Sequence, residues 1–327
     1  MNGEEVNILI TNIGRRGYLT DYLKRNPHFR GKVFASDCDS TASGLYGNND
    51  GHFILVKPVE DERRYCDQLL DLCNKQDIQV VIPVIDPEID ILSRYRDEFW
   101  NHGIKVVVSD KRVLDICWNK LRMNDFLKEC GVLYPNTYSE ISSFEEALYH
   151  SEIDFPVIIK PIYGSGSVNT QIITDINQLH SCFKDGMMIQ QFLSGAVEYG
   201  SDTFNSFSGD PLRVVVKRKI SMRSGETDKA ITVHKPEVLQ LLLKISNELK
   251  HIGNLDTDIL EYDGKLYVVD MNPRFGGGYP ATHIAGVDLL DLIVQQMNGK
   301  TIQPLFDNYP PNLLVMKTIG TVSVQLS

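Results

Sequence analysis

The chain has 327 residues and a formal net charge of −10. That length accommodates two or three domains with substantial cores, and the negative balance argues against nucleic acid or an anionic membrane as the main partner while still permitting a local basic pocket. No apolar run approaches the roughly 20 residues that span a bilayer. The opening MNGEEVNILI lacks the basic and apolar regions of a signal peptide. Six cysteines without a CxxC or Cys/His cluster are expected to be reduced thiols of a cytoplasmic protein.

In chain order, residues 6–10 form a short apolar run that ends in the loop TNIGRRG, and 18–25 has the pattern of a helix. Strands are expected at 32–36 and 53–56, a helix at about 60–76, the apolar strand VVIPVI at 80–85, a helix near 87–100 and the strand IKVVVS at 104–109. Continuous apolar strands alternating with helices indicate a parallel sheet covered on both faces. Such sheets take ligands beyond the carboxyl ends of their strands, where the GRRG turn and the Asp86-Pro87-Glu88 turn both fall. GRRG is not GxGxxG, so no dinucleotide fingerprint is present. Arg15 and Arg16 are either solvated loop charges or a site for a substrate anion.

A helix is expected from near Val113 to about Cys130, where Gly131 ends it, with Asn119 and Lys120 inside it. Next come the strand FPVIIK (155–160), the small-residue loop PIYGSGSVN (161–169) and the strand TQIIT. Glycines such as Gly164 and Gly166 let backbone amides approach phosphate oxygens closely, although a flexible turn explains the loop equally well. The loop joins two strands with no GK[ST] leading into a helix, so it is not a Walker A loop. An apolar strand at 187–189 leads into Gln190, Gln191, Phe192 and Leu193, with Glu198 seven residues after Gln191. Main-chain groups of that segment could read an adenine edge, and a carboxylate could accept ribose hydroxyls. LRVVVKRKI (212–220) ends in basic residues able to face phosphates, RSGET (223–227) reads as a mobile loop, and the helix expected at 236–252 is scaffold, stopped by Gly253.

The stretch from Asp258 to Gly278, DILEYDGKLYVVDMNPRFGGG, carries the densest chemistry. Asp258, Asp270 and Asn272 offer oxygen ligands without a nearby His or Cys, a set suited to a hard cation such as Mg²⁺. Arg274 follows, suited to clamping a phosphate or carboxylate. A three-residue turn at 263–265, or a bulge, would pair Asp258 with Asp270 on one face. A strict two-residue Asp-Gly turn would pair Asp258 with Val269 and point its side chain away.

Together these segments resemble the ATP-grasp superfamily, in the branch of the carbamoyl-phosphate synthase large subunit and small carboxylate–amine ligases. The resemblance runs through Lys120, FPVIIKPIYGSGS, IQQFLSG-x-x-E and VVDMNPRFGGGYPATHIAGVDL. It implies a mixed α/β and α+β chain: a parallel-sheet pre-ATP-grasp domain (1–110), a lid lobe (111–185) and a C-terminal catalytic lobe (186–327). By the same resemblance, Lys120 and Lys160 contact nucleotide phosphates and Ser165, Gly166 and Ser167 form a flap. Gln190, Gln191, Phe192 and Leu193 form the adenine hinge, and Glu198 holds the ribose. Asp258, Asp270 and Asn272 bind Mg²⁺ or Mn²⁺, while Arg274 and Lys160 serve catalysis. Where the family usually has Glu, this chain has Asp270 and Gln191. The implied activity is an ATP-dependent ligase that joins a small carboxylate to an amine or thiol through an acyl phosphate. A phosphorylating or carboxylating subunit and a non-catalytic ATP-binding regulator are the alternatives. His283 is a secondary site candidate, and a homodimer is the assembly considered.

Overall fold

The computed structural model describes residues 5–164 and 169–325. The flap residues Ser165, Gly166 and Ser167 lie outside the described residues. The first unit contains β1 (Ile8–Thr11), α1 (Tyr18–Arg25), β2 (Val33–Asp37), β3 (His52–Ile54), α2 (Glu62–Lys75), β4 (Val80–Pro83), α3 (Asp86–Asn101) and β5 (Lys105–Val106). Its five strands are all parallel, in the order β3-β2-β1-β4-β5. Every residue of β1, β2 and β4 is buried, as continuous apolar strands require when both faces are covered. Leu19 and Leu23 of α1 pack on one face, and Leu69 of α2 with Ile89 and Leu92 of α3 pack on the other. Strand β5 is shorter than the expected 104–109 because only Lys105 and Val106 pair in register with β4.

Two helices, α4 (Lys111–Trp118) and α5 (Lys120–Glu129), replace the single helix expected there. Asn119 is extended (φ −96°, ψ 108°), and its side chain accepts hydrogen bonds from the Leu121 and Arg122 amides. Asparagine is among the best residues for capping a helix start in this way, so the break comes from Asn119 itself. Lys120 thereby becomes the first helical residue, with its amide donating to the Ile162 carbonyl oxygen (3.0 Å).

Next come β6 (Thr137–Tyr138), α6 (Ile141–Tyr149), β7 (Val157–Pro161), β8 (Gln171–Ile173), α7 (Ile176–Cys182) and β9 (Met187–Gln191). The four strands form an antiparallel sheet, β6-β9-β7-β8. Phe144 of α6 and Leu179 of α7 fill its covered face.

The remainder comprises β10 (Val197–Asn205), β11 (Pro211–Arg223), β12 (Glu226–Thr232), α8 (Pro236–Leu249), β13 (Gly253–Tyr262), β14 (Lys265–Asn272), α9 (Tyr279–Ile284), α10 (Leu289–Met297) and β15 (Leu314–Met316). A six-stranded antiparallel sheet runs β14-β13-β10-β11-β12-β15. Helix α8 seals one face with Val238, Leu242, Ile245 and Leu249. Met123 and Leu127 of α5 join the same core. Helix α10 instead packs Leu290 and Ile293 into the core of the first sheet. Helix α8 ends at Lys250, left-handed at φ 57°, three residues before the expected stop at Gly253. The 223–227 loop contracts to a two-residue turn, Ser224-Gly225, because Arg223 already pairs with Glu226.

Candidate functional site

The site depends on one extra residue in β14. Tyr262 pairs with Lys265, so the hairpin turn is the two-residue Asp263-Gly264, with φ 48° and 68°. Both positive values match the turn that Asp-Gly favours between twisted strands. Alone, that turn would aim Asp258 away from Asp270. Between Ile259↔Val268 and Asp258↔Asp270, however, the register shifts, leaving Val269 as a bulge. A bulged residue reverses the facing of everything beyond it, so Asp258 and Asp270 pair. The sequence allowed for a three-residue turn or a bulge; the chain uses the bulge.

Around this pair lies a cleft of about 750 Å³ between the two antiparallel sheets. Its walls include Ile158 and Lys160 from β7, Gln190 and Gln191 from β9, and Glu198, Asp258, Leu260 and Asp270 from the large sheet. Lys120, Phe192 and Leu193 also line it, as does the bulged Val269. The described part of the 161–169 loop contributes Tyr163, Gly164 and Asn169. Residues from widely spaced parts of the sequence thus line one space, but Asn272 and Arg274 are not among them, and Asn272 instead lines a smaller neighbouring pocket with Asp86 and Cys117.

The polar groups are arranged as alternating charges. Lys120 donates Nζ to the Gly164 carbonyl oxygen and stands 3.5 Å from Asp270 Oδ1. Asn272 Nδ2 donates to Asp270 Oδ2 at 3.3 Å. Burial pushes the Lys160 ammonium down to about 8; Asp270 opposes that fall and Lys120 adds to it. Asp258 is held above the usual carboxylate range by its recessed position, with Asp270 and Glu198 adding to the shift and Lys219 opposing it. Gln190 is buried and donates Nε2 to Thr137 Oγ1 (3.0 Å). The Gln191 amide donates to the Asn136 carbonyl oxygen (2.8 Å).

Lys219 was not singled out from the sequence. Of the basic residues ending β11, Lys217 is buried against Asp202 and Thr282. Lys219 alone reaches this cleft's carboxylates, at 2.8 Å from Glu198 Oε1 and 2.7 Å from Asp258 Oδ1. Burial pulls its ammonium down, but Asp258, Glu198 and Asp256 outweigh that and hold it above its ordinary value. The available signal was period-2 alternation along β11, combined with Gly200 on the neighbouring strand. A Cβ at Gly200 would lie 2.9 Å from Lys219 Cε, so glycine clears the route to Asp258.

Arg274 donates Nε to Asp86 Oδ1 (2.8 Å) and lies 3.5 Å from Asp256 Oδ2. Asp256 is pushed up to about 7 by burial and by Asp258, against Arg274. Gly276 belongs to this arrangement, since a Cβ there would fall 2.1 Å from Asp256 Oδ2. Gly276→Ala is expected to destabilise the protein by about 2 kcal/mol, the usual scale of overpacking. An unshifted urea midpoint would show that the Asp256–Arg274 pair has room to move. His283 lies elsewhere, stacked on Tyr22 with ring centroids 3.6 Å apart, and it does not line the cleft.

No cluster of three or more His, Cys, Asp or Glu residues able to hold a metal occurs among the described residues. Asp258, Asp270 and Asn272 instead provide two carboxylates and an amide. That all-oxygen set suits Mg²⁺, which leaves positions for water and phosphate oxygens.

Residues 8–107 match the family model described as the PylC-like, N-terminal domain, and residues 117–278 match that of the ATP-grasp domain. The carbamoyl phosphate synthase large chain of Clostridium acetobutylicum is 23% identical over 315 residues, covering 90% of this chain and 27% of that protein. The chain thus spans about a quarter of that relative's length. The biotin carboxylase domain dimer of Hydrogenobacter thermophilus 2-oxoglutarate carboxylase, solved with MgADP, ADP and bicarbonate, superposes with a TM-score of 0.71 at 16% identity, covering 94% of this chain and 73% of that one. The L-amino acid ligase of Bacillus licheniformis gives 0.68 at 16%, covering 94% and 77%. At such identities these likenesses establish the fold.

Proposed function

This chain joins an ATP-grasp domain to a PylC-like N-terminal domain, and on that premise we propose that it is an ATP-dependent carboxylate–amine ligase. A substrate carboxylate oxygen attacks the γ-phosphorus of ATP and ADP leaves. The amine, or a thiol, then attacks the acyl carbon of the acyl phosphate, phosphate leaves, and the nucleophile's proton is released. The observation that carries this reading is the bulge-set pairing of Asp258 with Asp270 in a cleft that also holds Lys120 and Lys160.

In this reading the β9 end, Gln190 to Leu193, receives the adenine, and Glu198 receives the ribose. Lys120 and Lys160 bind phosphate oxygens, with Ser165, Gly166 and Ser167 as the covering flap. Asp258, Asp270 and Asn272 would hold Mg²⁺, with Mn²⁺ as an alternative. The metal would supply charge neutralisation at the phosphoryl group. Arg274, held by Asp86 and Asp256, would meet developing negative charge near the acyl phosphate.

We propose the division 1–110, 111–185 and 186–327, with elements exchanged across its borders, among them α10, which packs into the core of the first sheet. Helix α5 packs into the core of the six-stranded sheet, and β9 completes the four-stranded one. A cytoplasmic setting accords with six free thiols. Among the described residues no helix is long and apolar enough to cross a membrane. A homodimer is the assembly we propose.

ADP release should be measured across a matrix of small acids, with hydroxylamine and then natural amines, and products identified by mass. Acid-dependent ADP release with hydroxamate formation is expected. Phosphate release independent of any acid would favour the regulatory alternative, and ADP release with bicarbonate alone would favour the carbamoyl-phosphate-synthase-like one.

A further inference from the structure

The turn between β4 and α3 is a shared footing for two arginines from distant parts of the chain. Arg274 donates Nε to Asp86, and Arg16 donates Nη1 to the Val84 carbonyl oxygen (3.2 Å). Beyond Arg16, Glu226 at the start of β12 is gripped on both oxygens. Its Oε1 accepts Arg16 Nη2 at 3.2 Å, and its Oε2 accepts Lys317 Nζ at 3.1 Å. The glycine run that begins two residues after Arg274 passes directly over this group. A Cβ at Gly277 would stand 2.7 Å from Glu226 Cβ. A ligand lying along that run would have Arg274 at one end and the Arg16–Glu226–Lys317 group at the other.

The charges at the far end do not balance. Arg16 and Lys317 face one carboxylate, and Arg15 adds its field without an ion pair of its own among the described residues. Arg16 Nε is buried and has no hydrogen-bond partner among the described residues. A buried donor left unpaired is costly, and a planar guanidinium is shaped for a carboxylate or phosphate. Two cations on separate oxygens of one carboxylate is also how a bound carboxylate would be held. A substrate ammonium would meet net positive charge and find both Glu226 oxygens already engaged.

We propose that Arg16 and Lys317 receive a second anionic group on the acid substrate, remote from its reacting carboxyl, with Glu226 as the resident counter-ion that this group displaces or shares. The acid is then a dicarboxylate or a phosphorylated carboxylate. The inference rests on the ligase reading and narrows its substrate class.

The test compares KM for ADP release, with ATP and hydroxylamine, between dicarboxylates from malonate to adipate and monocarboxylates of equal carbon number. Phosphoglycolate represents the phosphorylated acids. One dianionic class is expected to show a KM roughly tenfold or more below its monoanionic match, the scale of one charge-assisted hydrogen-bond pair. Which class does so separates carboxylate from phosphate. In Arg16→Met and Lys317→Met that ratio should collapse toward one, and the second variant serves if the first does not fold. Equal KM values for matched acids, or a ratio preserved in both variants, would overturn the inference and leave the ligase reading standing. If no acid of either kind draws ADP from a protein that binds ATP, the ligase reading falls, and the inference falls with it.

Discussion

Asp270→Ala is expected to lower acid-dependent ADP release by roughly a thousandfold while the protein stays folded. The bulge at Val269 places this carboxylate opposite Asp258, and its other neighbours are Lys120 at 3.5 Å and the Asn272 amide. If the trio holds Mg²⁺, alanine removes one of its two charged oxygen ligands, and charge on the transferring phosphoryl group is then left without its main counterweight. The fold should tolerate the change. Asp270 lines a cleft, so its truncation opens no core void, and removing it relieves one of the repulsions that raise Asp258. The same change takes a counter-charge from Lys120 and Lys160, so the two effects oppose each other and thermal unfolding should shift only modestly. Unchanged ADP release would remove Asp270 from the metal site. A collapsed fold would make the carboxylate structural.

That prediction depends on a register only partly legible in the sequence. The Asp-Gly dipeptide identified the hairpin, and the residue count showed that Asp258 and Asp270 could meet only with a third turn residue or a bulge. Nothing in DILEYDGKLYVVD distinguishes the two, because a bulge at Val269 is decided by packing of the whole sheet rather than by local preference. The parallel sheet was legible because its central strands, β1 and β4, are buried on both faces and carry unbroken apolar runs. Asn119 was missed as a helix break because the apolar periodicity continues through it and the Lys-Leu-Arg that follows carries none of the acidic residues of a usual first turn, leaving Asn119 alone as the capping signal. Lys219 was hidden for another reason. In the run KRK both lysines share one face of β11, so only position along the strand, set by the β10–β11 register, decides that Lys219 and not Lys217 reaches the cleft. Arg16 stayed ambiguous because its partner Glu226, and the Lys317 that shares that carboxylate, lie 210 and 301 positions away.

Affinity for ATP should fall as pH rises from 7 to 9, and Lys160 should be the cause. In the nucleotide-free protein burial lowers this ammonium from 10.5 to about 8. Below pH 7 it is charged and ready for phosphate oxygens. Above pH 8 it is largely neutral, so binding a polyanion must first restore the proton. Triphosphate beside Lys160 favours the charged form, and binding in that range therefore takes up a proton, weakening by up to about tenfold per pH unit. Lys160→Ala should weaken binding at pH 7 by roughly ten- to a hundredfold, the worth of a hydrogen bond to a charged group, and should flatten the pH dependence. Stability should respond the other way. The folded-state value lies below the unfolded one, so between about pH 8 and 10.5 the unfolded chain binds the extra proton, and the Lys160 contribution to stability rises with pH across that window. At pH 7 the buried charge is a cost, and Lys160→Ala should melt no lower than the parent. Titration calorimetry in buffers of different ionisation enthalpy reads the proton uptake directly. An alanine variant that keeps both the affinity and its pH slope would take Lys160 out of the nucleotide site.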